Sequence, residues 1–314
     1  MKANMNHSGV IVPLTTPFTA DGAIDLAAAG RIVQRIARHN LGVFVLGTTG
    51  ETASIPRQDR QLLVEAAVKA ADGKVPIYAG IGDNCLSNSL IAAQRYHDLG
   101  VAAVVAHLPA YYPLTENEMR DYFLLLDKQV TGPYMIYNIP ATTRMSIPPE
   151  VVVALSDLPL CVGFKDSENA PGRMEAVFNA LGGRDDFALF MGSAILSVDS
   201  LKLGYDGLVP SSGNLVPQLW EQLYDAALQG QWEKAENLQR QLDAVAAVTQ
   251  VNRTLGQSLA ALKAAMAGIG LCRSDVLPPL QTLGGEEAED IKNQITALCP
   301  FLTDEQEILH GPGR

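Results

Sequence analysis

Short apolar runs rich in β-branched residues alternate with longer amphipathic runs over the first 229 residues. The runs that read as strands are VIVPLT (10–15), GVFVLG (42–47), VPIYAG (75–80) and VAAVVAHL (101–108), then PYMIYN (133–138), LCVGFK (160–165), FALFMG (187–192) and DGLVPS (206–211). The periodicity between them predicts helices near 25–40, 57–71, 86–99, 115–130, 148–156, 171–181, 193–204 and 217–229. Eight strands, each followed by a helix, predict an α/β chain whose parallel sheet closes into a (β/α)8 TIM barrel. A doubly wound open sheet would carry fewer units and a glycine-rich first turn, and VIVPLTTPF has no such turn.

Beyond Gln229 no strand pattern returns. Residues 231–250, 252–269 and 285–298 predict three amphipathic helices, with SDVLPPLQTLGG supplying the prolines and glycines of a turn. The expected organisation is a catalytic barrel over 1–229 and a C-terminal three-helix extension over 230–314. The length of 314 residues suits that plan, since one barrel takes roughly 250 residues.

Composition narrows the partners. The formal net charge is −11, which excludes nucleic acid and anionic membrane as the main partner but leaves an anionic small substrate open. The four cysteines, Cys85, Cys161, Cys272 and Cys299, form no C-x-x-C pair, so no zinc or redox motif is expected. The opening MKANMNHSG is polar, and no apolar run approaches the roughly 18 residues that span a bilayer. A soluble cytoplasmic protein with free thiols is the expectation.

In such a barrel the active site lies at the C-terminal ends of the strands. Of nine lysines, six fall in predicted helices, Lys2 is at the N-terminus and Lys74 enters its strand from the wrong end. Lys165 alone closes a strand. A lysine on an apolar strand pointing into a barrel mouth is desolvated, loses its charge and becomes a nucleophile toward ketones. The alternative is a solvated lysine, or one paired with Asp166. Tyr137, at the end of the fifth strand, can pass protons to and from a carbinolamine oxygen, or be a core tyrosine. Gly47-Thr48-Thr49-Gly50-Glu51 after the second strand offers hydroxyls and backbone N–H groups to a carboxylate, or is an ordinary turn. Ser211-Ser212-Gly213-Asn214 after the eighth strand could cradle a phosphate.

GTTGE, YNIP and GFKD, in that order and spacing, resemble the dihydrodipicolinate synthase / N-acetylneuraminate lyase superfamily, from about Gly9 to the C-terminal helices. The resemblance implies that Lys165 forms an imine with pyruvate or another 2-oxo acid and that Tyr137 is the general acid/base. It implies a carboxylate site at Thr48 and Thr49, with Thr48 also in a hydroxyl relay. Tyr111 matches the tyrosine inserted into a neighbouring subunit's site, and Val209 the residue whose carbonyl lies near the 2-oxo acid. The family uses no metal or organic cofactor and assembles as a homotetramer, a dimer of dimers.

Two departures bear on substrate. Thr142 stands where the synthase branch has its carboxylate-binding arginine, and an arginine comes only at Arg144. Gly192 is followed by Ser193, Ala194 and Ile195 rather than the acidic pair of the sialic acid lyases. The chain looks closer to the 2-keto-3-deoxy sugar acid aldolases and dehydratases. The expected activity is a Schiff-base lyase releasing pyruvate from a 2-keto-3-deoxy or 4-hydroxy-2-oxo acid. Its alternatives are a dehydratase or synthase using the same imine, a sugar-phosphate enzyme, and a barrel that binds a 2-oxo acid without turnover. Arg144 is the candidate reader of a distal carboxylate.

Overall fold

The computed structural model describes residues 7–302. The strands are β1 (Gly9–Pro13), β2 (Gly42–Val45), β3 (Ile77–Gly80), β4 (Ala103–His107), β5 (Tyr134–Asn138), β6 (Cys161–Asp166), β7 (Ala188–Met191) and β8 (Gly207–Leu208). All neighbours pair in parallel, and β8 closes on β1. The helices between them are α1 (Leu26–Ala37), α2 (Arg57–Ala71), α3 (Leu86–Asp98) and α4 (Glu116–Asp127), then α5 (Pro140–Thr143), α6 (Pro149–Ser156), α7 (Arg173–Leu181), α8 (Ser197–Leu203) and α9 (Pro217–Leu228). After the barrel come α10 (Trp232–Gln250), α11 (Leu255–Gly268) and α12 (Gly285–Leu298). The predicted TIM barrel with helices after it is the observed fold. The additional helix α5 is a single turn after β5.

Apart from His107, Asn138, Lys165 and Asp166 at their C-terminal ends, the strands are apolar because both of their faces are buried. In β4, Ala103 and Val105 point into the barrel, while Val104 and Ala106 pack under the helices. The interior also holds Ile11, Phe44, Met135 and Phe190. Helix starts follow capping chemistry. Thr115 and Glu118 form a capping box at α4, and Thr254 and Gln257 form another at α11. The second explains why that helix begins at Leu255 and not at residue 252.

One irregularity in the sheet decides the site. Tyr134 pairs with Cys161, but the next residue, Met135, pairs with Gly163, so β6 carries one extra residue at this point. The inserted residue reverses the alternation of inward and outward side chains that follows. Cys161 packs outward, and strict alternation would send Lys165 outward too. Instead Lys165 comes level with Tyr137, which faces the interior. Gly163 permits the bulge, since a Cβ there would lie 2.7 Å from the Ala188 carbonyl oxygen.

The later helices join the same packing. Leu238 and Leu242 of α10, Met266 of α11, and Ile291 and Ile295 of α12 belong to one buried apolar cluster with the barrel's outer face. Among the described residues, no helix is long and apolar enough to cross a membrane.

Candidate active site

Three neighbouring strands place their inward side chains at one level. His107 on β4 pairs in register with Tyr137 on β5, and Tyr137 with Lys165 on β6. The Lys165 ammonium nitrogen lies 3.8 Å from the centre of the Tyr137 ring and 4.9 Å from that of Phe44. Burial pulls its pKa below the ordinary lysine value, against an opposing pull from Tyr137. No carboxylate among the described residues pairs with it.

Asp166 faces the other way. Its Oδ2 accepts from Arg173 Nε at 2.8 Å and its Oδ1 from Asn138 Nδ2 at 2.8 Å. Arg173 also donates to the Ile147 carbonyl, and the Asn138 Oδ1 accepts from the Ile147 N–H. The Lys165–Asp166 pair considered from sequence is therefore not formed. The network behind β5 and β6 instead holds those strand ends rigid.

Two hollows meet at the barrel mouth. A small one beneath is lined by Lys165, Val209, Tyr78 and Met135. The larger, about 500 Å³, is lined by Thr48, Tyr137, His107 and Thr142 among others. Phe44 and Val105 line both. In the turn after β2, Gly50 N–H donates to the Gly47 carbonyl and Glu51 N–H to that of Thr48. No backbone hydrogen bond among the described residues uses the N–H of Thr48 or Thr49. Those donors are the kind that hold a carboxylate.

The sequence candidates separate on inspection. Lys165, Tyr137, Thr48 and Val209 line one or the other hollow. Thr49 sits half-buried in the same turn as Thr48. Tyr111 is 75% exposed, edge-on to Tyr112, just beyond the cavity residue Ala110. Arg144 is exposed, with a left-handed backbone (φ 61°) after α5, and the cavity edge nearby is made by Thr142.

The turn after β8 has its polar groups committed elsewhere. Asn214 accepts from the Thr15 N–H and donates to the carbonyls of Pro13 and Ser211, and Ser212 accepts from Trp220. These bonds fasten β1 to α9 and leave the Asn214 amide no free donor for a phosphate.

Two features were not read from the sequence. One is His107, which sat unremarked in the fourth apolar run although it is a lone titratable residue at a strand's C-terminal end. The other is the far wall of the cavity, made by Leu255, Gly256 and Leu259 of α11 with Pro279 and Leu280. That wall is anchored to the β2 turn by a buried ion pair. Lys263 Nζ lies 2.6 Å from Glu51 Oε1, with side chains 0% and 1% exposed. Lys263 also donates to the Asp275 carbonyl, and Glu51 Oε2 accepts from the Leu277 N–H.

The model of the dihydrodipicolinate synthetase family matches residues 6–298. The chain belongs to this family. It is 31% identical over 229 residues to a 4-hydroxy-tetrahydrodipicolinate synthase of Shewanella baltica (strain OS155 / ATCC BAA-1091), covering 73% of this chain and 77% of the relative. It is 29% identical over 287 residues to the Escherichia coli K12 protein named "Probable 2-dehydro-3-deoxy-D-pentonate aldolase YjhH", covering 90% and 94%. The crystal structure of YagE from E. coli K12, a family member in complex with pyruvate, superposes with a TM-score of 0.88 at 26% identity, covering 94% and 99%. The chain is thus an aldolase-type lyase of the dihydrodipicolinate synthetase family, built on a TIM barrel.

Proposed function

We propose that the protein cleaves, or in reverse forms, the C3–C4 bond of a 4-hydroxy-2-oxo acid such as a 2-keto-3-deoxy sugar acid, through an imine on Lys165. The observation that carries this reading is Lys165 itself, buried without a carboxylate partner and in contact with Tyr137. Burial favours the neutral amine, which attacks the C2 carbonyl of the 2-oxo acid. Tyr137 passes a proton to the departing hydroxyl as the carbinolamine loses water. The protonated imine then draws the electron pair of the C3–C4 bond as the C4 hydroxyl gives up its proton. An aldehyde leaves and an enamine remains. Protonation at C3 and hydrolysis release pyruvate and restore Lys165. The N–H groups of Thr48 and Thr49 hold the substrate carboxylate.

The likeness to YjhH over nine-tenths of the chain supports the sugar-acid class, and the absence of an arginine at Thr142 weighs against the synthase reaction. In the assembled enzyme, a cytoplasmic tetramer of two dimers, Tyr111 completes the proton relay of a neighbouring site. Its exposure at the cavity rim supports that role.

Borohydride reduction with pyruvate tests the reading. Peptide mapping is expected to place the adduct on Lys165, and Tyr137→Phe to slow its formation by roughly 10²–10⁴-fold. An adduct on another lysine, or none with any 2-oxo acid, overturns it.

A further inference from the structure

His107 is bound to its own chain on one edge only. Its Nδ1 lies 2.7 Å from the Leu108 carbonyl oxygen. A carbonyl only accepts, so the network assigns the ring proton to Nδ1 and leaves a lone pair on Nε2. No group among the described residues donates to that lone pair. Nε2 stands over Gly82, where an added Cβ would come within 2.0 Å of it. Gly82 and His107 both line the large cavity.

The position in the barrel says which part of a substrate this acceptor meets. Lys165, Tyr137 and His107 are level on β6, β5 and β4. Neighbouring strands are roughly 4.8 Å apart. A 2-oxo acid fixed by C2 on Lys165, with its carboxylate toward Thr48 on β2, has its remaining carbons free to extend past Tyr137 into the large cavity. His107 is the next inward side chain along that path, and its neighbours there include Asn84 and Thr142.

We propose that His107 is a specificity-determining residue whose Nε2 accepts a hydrogen bond from a hydroxyl on the aldehyde half of the substrate. This rests on the aldolase reading above and adds the class of tail. A hydroxylated aldehyde leaves the acceptor satisfied, while a plain alkyl aldehyde buries it unpaired, and that unmade bond is the source of discrimination. The charged and titratable groups facing the imidazole are Lys165, Tyr137 and Asp83. Burial, the largest influence, holds the imidazole pKa below its ordinary value, so it stays an acceptor at neutral pH.

The test is condensation with pyruvate, comparing glycolaldehyde with acetaldehyde by kcat/KM. The wild-type enzyme is expected to favour glycolaldehyde by about 10-fold, the worth of one such hydrogen bond. His107→Phe keeps a flat ring without the acceptor and should abolish the preference. His107→Gln returns an acceptor near the Nε2 position and should restore it, which a role in packing alone would not do. Pyruvate adduct formation on Lys165 is followed by mass in each protein. Adduct formation with the preference unchanged in His107→Phe overturns the His107 assignment alone, as does loss of preference in His107→Gln. No adduct in the wild-type enzyme overturns this assignment together with the reaction it rests on.

Discussion

In the proposed reaction Lys165 attacks as a neutral amine, and the burial that favours this form leaves a mark on stability. The unfolded chain binds the Lys165 proton up to its ordinary pKa of 10.5, whereas the folded chain releases it at lower pH. Between those two values the unfolded state carries more protons, so stability from this residue rises with pH. Lys165→Met is therefore expected to stabilise the protein at neutral pH. The gain should shrink as pH climbs toward 10.5 and vanish above it. Urea unfolding at pH 7 and at the highest pH the fold tolerates measures the difference, and a gain independent of pH would mean that Lys165 titrates normally. The burial of Lys165 at a strand's C-terminal end was legible in the sequence, because the other eight lysines lie elsewhere. His107 was not picked out, although its place at the end of an apolar run was the same kind of signal. What sets it apart is its place at the cavity level with Tyr137, which exists only in the folded barrel.

At the scale of elements, the bulge in β6 turns its lysine toward the barrel interior. LCVGFK gives Lys165 the same parity as Cys161, which packs outward. A strict two-residue repeat would aim the lysine at the surrounding helices. The extra residue beside Gly163 brings it inside. Gly163→Ala forces a methyl group against the Ala188 carbonyl and is expected to cost about 1–3 kcal/mol, the range for overpacked interiors. It should also slow imine formation, because β6 must shift next to its lysine. Denaturant unfolding and borohydride trapping rates read the two effects separately, and normal values of both would remove the bulge from the account. The strands themselves were legible because burial on both faces leaves them apolar up to their C-terminal ends. Their bulge was not, because it depends on pairing with β5 and the approach of β7. Helix α5 escaped notice for a simpler reason. Its four residues are too short to show a helical period.

The whole molecule is held around the site by contacts that the order of elements conceals. Leu255, Leu259 and Lys263 recur at intervals of four along α11, so one helical stripe presents the cavity wall and the cation that fixes it. In the sequence Lys263 reads as one more helical lysine, since nothing local tells of Glu51 more than two hundred residues earlier. Lys263→Met leaves the Glu51 carboxylate buried without its cation, and about 3–5 kcal/mol of stability should be lost. Pairing it with Glu51→Gln should recover part of that loss. Urea denaturation of the single and double variants measures the coupling, and a single-variant loss below about 1 kcal/mol would show that the pair is dispensable.

The wall formed by residues 255–280 comes from chain that follows the last strand, whereas the residues of the proposed imine chemistry lie on β5 and β6 and in the turn after β2. The far wall can therefore be inherited separately from the proposed reacting residues. A crossover between relatives in the short link from α9 to α10 exchanges the far wall without touching the lysine, the tyrosine or the threonine turn. The exchanged piece brings its own fastening in Lys263, and a barrel with a glutamate after GTTG already holds the matching half. A laboratory chimera joined there asks of its host barrel that glutamate and an outer face that accepts the apolar side chains of α10 to α12.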